Sequence, residues 1–158
     1  MPEPVASAPA SVLGFDFGTR RIGMAFGQRI TGTAMALPVV AQHAAGPDWP
    51  RIDQALREWR PAALVVGLPL ALDGGEQGTA LLARRFASEL GERSGLTVHL
   101  QDERMTSIEA SRRFAAMRAA GQRRQRDAGQ LDSIAAQVIV ENFLAATVPP
   151  PAAPGAAP

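Results

Sequence analysis

Apolar and polar positions alternate along the 158-residue chain in two rhythms, one of strands and one of helices. Residues 11–17, Ser-Val-Leu-Gly-Phe-Asp-Phe, form a short apolar run of strand length. Gly18, Thr19 and Arg20 turn the chain into a second strand near 21–29, and Thr31-Gly32 turns it again into a third near 33–40. Three consecutive strands with short turns predict an antiparallel meander. Pro47-Asp48-Trp49-Pro50 then opens a helix carrying Ile52, Leu56 and Trp59 on one side, and Pro61 closes it. Ala62 to Val66 is a continuous apolar strand of the kind buried on both faces. A Gly/Pro-containing loop over 67–75 leads to a helix from about 77 to 90, followed by a strand at 96–101. A strand–helix–strand unit implies a parallel pair with a right-handed crossover. Thr106-Ser107-Ile108-Glu109 has capping-box spacing and predicts a helix reaching about 118. The polar, Gly-containing stretch 119–130 reads as a loop, and 131–146 as a helix apolar nearly all round, hence buried or covering a sheet.

This order predicts an α/β fold: a mixed five-stranded sheet, made of an antiparallel three-strand meander plus two parallel strands, with helices on both faces. That is the arrangement of ribonuclease-H-like folds, and a fold alone does not fix a function. The length favours one domain. The Pro/Ala-rich segments 1–10 and 148–158 have little to bury and are expected to be disordered tails around a domain spanning 11–147. No apolar run has the length of a membrane span, and the first ten residues lack the basic and apolar parts of a secretory signal, so a cytoplasmic location is expected. Cysteine is absent, which excludes thiolate metal sites and fits a reducing compartment. A metal would have to be held by oxygen ligands or the two histidines, and oxygen ligands point to magnesium or manganese. His43, in a polar loop, and His99, in a strand, carry little signal of their own.

Charge changes the picture in one place. Six of the sixteen basic residues (Arg112, Arg113, Arg118, Arg123, Arg124 and Arg126) fall in a stretch with no acidic residue. The other ten face all fifteen acidic residues, a net −5. A basic patch on a mildly acidic body points to a polyanionic partner, and arginine forks suit phosphate oxygens. The plain alternative for Arg112 and Arg113 is the solvated face of a helix. Arg118 to Arg126 continue into the predicted loop, where they could clamp phosphates on either side of a cut. Few aromatics are available for stacking on bases, so recognition should rest on backbone and shape.

Three acidic positions are candidates for chemistry. Asp16 lies between Phe15 and Phe17, and strand alternation turns it to the face of Val12 and Gly14. A carboxylate near a sheet centre is costly unless a cation or hydrogen-bond donors compensate; the amides of Gly18 and Thr19 are the structural alternative. Asp132 begins the predicted last helix, where it could simply be an N-cap, although the small residues after it would let the helix lie close to a sheet. Asp102-Glu103-Arg104 closes a strand where open α/β sheets place their sites, with a solvated Glu103–Arg104 turn as the alternative. Bringing Glu103 beside Asp16 requires their strands to be neighbours. If Asp16, Glu103 and Asp132 converge, they need cations between them, and two divalent ions could bind both sides of a scissile phosphate.

The set Asp16-Phe17-Gly18-Thr19-Arg20-Arg21-Ile22-Gly23, Val66-Gly67-Leu68-Pro69, Asp73-Gly74, Asp102-Glu103-Arg104 with Thr106, and Asp132-Ser133 with Ala135-Ala136 closely resembles the YqgF family. These are Holliday-junction-resolvase-like nucleases associated with maturation of the 5′ end of pre-16S ribosomal RNA. The resemblance covers about residues 11–146. It implies Asp16, Glu103 and Asp132 as the catalytic and metal-binding set, using magnesium or manganese, two ions in all. It implies that Arg104 and Thr106 orient the substrate or support the carboxylates. Thr19, Arg20, Arg123, Arg124 and Arg126 complete the expected substrate contacts. The segment 67–74 would form a loop at the mouth of the site; Ala71 departs from the asparagine usual in relatives, which leaves that loop's substrate role open. The expected partners are nucleic acid (pre-rRNA or branched DNA) and ribosomal particles, with the chain a monomer or weak homodimer.

Other classes compete. A branched-DNA resolvase would use the same site. A non-catalytic RNA-binding assembly factor would have little use for clustered negative charge facing phosphates. Asp16-Phe17-Gly18-Thr19 also resembles the first phosphate loop of actin-like and sugar-kinase ATPases, which need about twice this length and a second such loop.

Overall fold

Local sequence sets most of the element boundaries. The structure, a computed structural model, describes residues 8–68, 78–102, 112–113, 115–116 and 127–147. Strands β1 (Ser11–Phe17), β2 (Arg21–Gln28) and β3 (Thr33–His43) form the expected meander. Gly32 makes the second turn in a left-handed conformation, φ 68°, which a glycine adopts without a Cβ penalty. The two-residue strand β4 (Gly46–Pro47) pairs with the end of β3, adding a sixth strand to the expected five. It is too short to leave a hydrophobic rhythm.

Helix α1 (Trp49–Trp59) starts where Asp48 accepts a hydrogen bond from the Arg51 amide, with Pro50 in the first turn. It ends at Arg60, held in the left-handed region, just before Pro61. Strand β5 (Ala63–Leu68), helix α2 (Gly78–Ser94) and strand β6 (Val98–Asp102) follow, and α2 runs one turn beyond its expected end. Helix α3 (Asp127–Thr147) is the last element. It begins within the stretch read as a loop, so Asp132 is an interior residue of the helix and not its N-cap. Glycine inside a helix costs only about 1 kcal/mol, and Gly129 does not prevent the early start.

The sheet order is β4-β3-β2-β1-β5-β6. Strands β1, β2 and β3 are antiparallel neighbours, while β1–β5 and β5–β6 are parallel. Strand β1, which carries Asp16, and strand β6, which ends at Asp102, are therefore not the neighbours that the sequence reading required; they flank β5. At the usual spacing this separates them by about 10 Å.

Side chains divide cleanly between the faces. Leu13, Phe15, Ile22, Met24, Leu64 and Val66 point to α1 and α2 and pack on Ile52, Phe86 and Leu90. Val12, Ala25 and Val65 point the other way, onto Ala136, Ile139, Val140 and Phe143 of α3. Ile134 and Val138, elsewhere on α3, are buried as well, as its all-round apolar sequence predicts.

Candidate functional site

The α3 face of β1 and β2 is unusually bare. A Cβ on Gly14 or Gly27 would overlap Val140, and one on Gly23 would overlap the backbone carbonyl of Asp132. The first turns of α3 can lie on β2 only because Gly23 has no side chain. Two hydrogen bonds fix that docking. The Ser133 hydroxyl donates to the Leu37 carbonyl at 3.0 Å, and the Gln137 amide donates to the Ala34 carbonyl at 2.8 Å. The β2–β3 register shifts between Ile22 and Met24, opposite Leu37 to Val40, so a bulge lies where Ser133 binds.

Gly23 is also the ladder partner of Asp16. Directly paired antiparallel residues share a face and lie about 5 Å apart at their Cα atoms. Asp16, half-buried, thus lies opposite Gly23 in the ladder while the Asp132 backbone carbonyl lies over it. Two residues 116 positions apart in sequence are thus both neighbours of one glycine.

A third residue joins them. The Arg21 Nε donates to Asp132 Oδ2 at 2.8 Å, with both side chains partly exposed (38% and 27%). Sequence reading gave Arg21 no role beyond its motif. Its signal was strand parity: Arg21 shares a face with Gly23, Ala25 and Gly27, so a charge stands at the end of a row of small residues.

Other expected site residues fall elsewhere. Thr19 and Arg20 are exposed at the β1–β2 turn, which Gln42 ties down by donating twice, its side chain to the Gly18 carbonyl and its backbone amide to the Arg20 carbonyl. Thr19 borders a cavity of about 410 Å³ with Phe17, Phe86, His43 and Arg85, on the side of β1 away from Asp16. His99 packs on Phe143, ring centroids 4.9 Å apart, as a core-facing histidine would. Arg113 pairs with Glu141 of α3 at 2.6 Å, so part of the acid-free basic stretch is bound to an acid from the last helix. Glu103, Arg104, Thr106, Arg118, Arg123, Arg124, Arg126 and the 69–77 segment with Ala71 lie outside the described residues. Among the described residues no group of three or more acidic or histidine side chains gathers. The two aspartates present an all-oxygen donor set, which fits a hard divalent cation.

Residues 10–146 match the family model RuvX, described as "Holliday junction resolvase". The chain belongs to the RuvX family. Relatives of the same family include a Xanthomonas campestris pv. campestris (strain B100) protein, 53% identical over 147 residues, covering 92% of this chain and 95% of that protein. Another, from Xanthomonas oryzae pv. oryzae (strain PXO99A), is 52% identical with the same coverage. Both carry the name "Putative pre-16S rRNA nuclease". The fold is that of T. thermophilus RuvC, solved in complex with a Holliday junction substrate, with a TM-score of 0.51 and 19% identity over 87% of this chain and 95% of that one. Fowlpox virus resolvase, solved with Holliday junction DNA, matches at a TM-score of 0.51 and 11% identity over 88% of this chain and 99% of that one. These two likenesses establish a ribonuclease-H-like fold for the RuvX chain. No helix among the described residues is long and apolar enough to cross a membrane.

Proposed function

We propose that the chain is a metal-dependent endonuclease that hydrolyses phosphodiester bonds in structured nucleic acid, acting on the 5′ end of pre-16S ribosomal RNA. The observation that carries this is that Asp16, by ladder pairing, and Asp132, by its backbone carbonyl, both adjoin Gly23, on two elements whose docking leaves no room for a side chain at that position. Family membership and the names of relatives above 50% identity agree with it.

Asp16, Asp132 and Glu103 would hold magnesium or manganese, two ions in our reading; with β5 between β1 and β6, Asp16 and Glu103 would bind from the two sides of β5 and not side by side. Bound there, the ions would activate the attacking water and stabilise the leaving oxygen. Support for Glu103 over Asp102 comes from β6. His99 and Gln101 share the α3 face with Val65, and Asp102 alternates to the other face. The chain's own contribution is position: β1 fixes Asp16, the Gly23 contact and the Ser133 hydrogen bond fix Asp132. Arg20, exposed on the tethered turn, is available to a substrate phosphate, and Arg104, Thr106, Arg123, Arg124 and Arg126 are proposed to extend that contact. The partners in this reading are pre-rRNA and ribosomal particles.

A branched-DNA substrate is the second reading, favoured by the description of the family model. Cleavage of a 5′-extended pre-16S RNA and of a four-way DNA junction, each with magnesium or manganese, separates the two. Wild type should cut the RNA, while Asp16→Asn and Asp132→Asn should stay folded and lose cleavage. Faster junction cutting would favour the second reading, and equal cutting by wild type and both variants would remove the enzymatic one.

A further inference from the structure

Arg21 stands on the first position of β2, two residues from Gly23 and on the same face, which makes it a diagonal neighbour of Asp16 across the β1–β2 ladder. Its guanidinium reaches Asp132 through Nε alone, onto Oδ2. Among the described residues, no donor reaches Asp132 Oδ1. Asp16 pairs with Gly23 in the ladder and the Asp132 backbone lies over the same glycine, so the two carboxylates belong to neighbouring residues, and like charges so placed repel unless a cation offsets them. We propose that Arg21 is a positioning residue of this centre: a resident counter-ion that fixes Asp132 through Oδ2, leaves Oδ1 for a divalent cation, and offsets the aspartate charges before the cation arrives. This rests on the metal-dependent reading above.

Two opposed effects follow from one side chain. The positive charge beside the site disfavours a divalent cation, so its removal tightens metal binding. The same bond orients the carboxylate, so its removal slows the reaction at saturating metal. A residue that only braces the fold would produce no such opposition. Lysine keeps the charge but not the Nε geometry, which separates the two effects.

The test is manganese binding to wild type, Arg21→Gln and Arg21→Lys, followed by electron paramagnetic resonance of free Mn²⁺, with cleavage rates at saturating manganese and thermal melts alongside. Arg21→Gln should bind manganese about tenfold more tightly, the effect of one charge about 6 Å away in a water-like dielectric. Its kcat should fall with KM unchanged. Arg21→Lys should bind manganese like wild type and recover part of kcat; it also serves if the glutamine variant does not fold. Unchanged or weaker manganese binding by a folded Arg21→Gln would overturn the counter-ion role, and tighter binding with wild-type kcat would overturn the positioning role. Wild type that binds no manganese at all would instead overturn the metal-dependent reading on which both stand.

Discussion

The two faces of the sheet are built on opposite principles. The α1/α2 face is filled with large side chains. Phe86 of α2 lies against Phe15, Phe17 and Trp49 with ring centroids 5.3–5.5 Å apart, and Phe26 packs on Trp59. The α3 face is stripped at the strands, with Gly14, Gly23, Ala25 and Gly27 under the helix. Burying a full aromatic stabilises by roughly 2–3 kcal/mol, and the bare face gives that up. What it gains is proximity. A helix resting on glycines brings its backbone to the strands, and the height of Asp132 above Gly23 is then set by backbone contact instead of by rotamers. The first face holds the fold together; in the proposed reading the second places the chemistry.

Substitutions can break or sharpen this contrast. The largest loss of stability is expected from Phe86→Ala, about 3–5 kcal/mol, because it empties the centre of the aromatic cluster. Chemical denaturation measures it, and the molecules that remain folded should cut at the wild-type rate. Gly23→Ala should cost less, about 1–3 kcal/mol, since its Cβ must push the Asp132 carbonyl away. Here the folded fraction should be nearly inactive. If Gly23→Ala retained activity while Phe86→Ala lost it, the division of labour would be reversed. Ser133→Ala leaves the buried Leu37 carbonyl short of a donor and should cost about 1–2 kcal/mol, with a drop in turnover that the melting curve does not account for. Smallest of all, Asp53→Asn breaks the exposed Arg93–Asp53 pair on the α1/α2 side and should change stability by under about 1 kcal/mol and activity not at all.

The sequence shows the meander, the apolar β5 and the limits of α1 plainly, because turn residues and prolines mark them. Strand order is another matter. Periodicity identifies β6 as a strand but says nothing about β5 lying between it and β1. The start of α3 was hidden because its first residues, Asp127 to Gln130, are polar and include a glycine, the composition of a loop. That boundary also left an N-cap as the alternative for Asp132, which as an interior residue of α3 it is not. The face that Asp16 occupies was legible through alternation alone, whereas the Arg21–Asp132 pair spans 111 residues and depends on how α3 docks. Arg113 shows the same limit, since its partner Glu141 lies 28 residues away on another helix.

The three glycines beneath α3 also constrain how this chain can drift over generations. Any amino acid that replaces glycine adds a Cβ, and at positions 14, 23 and 27 that atom meets Val140 or the Asp132 carbonyl. Missense changes there are screened by helix docking before catalysis is ever sampled. Lineages should therefore explore new specificities through exposed positions such as Arg20, leaving this strip of backbone as an inherited template.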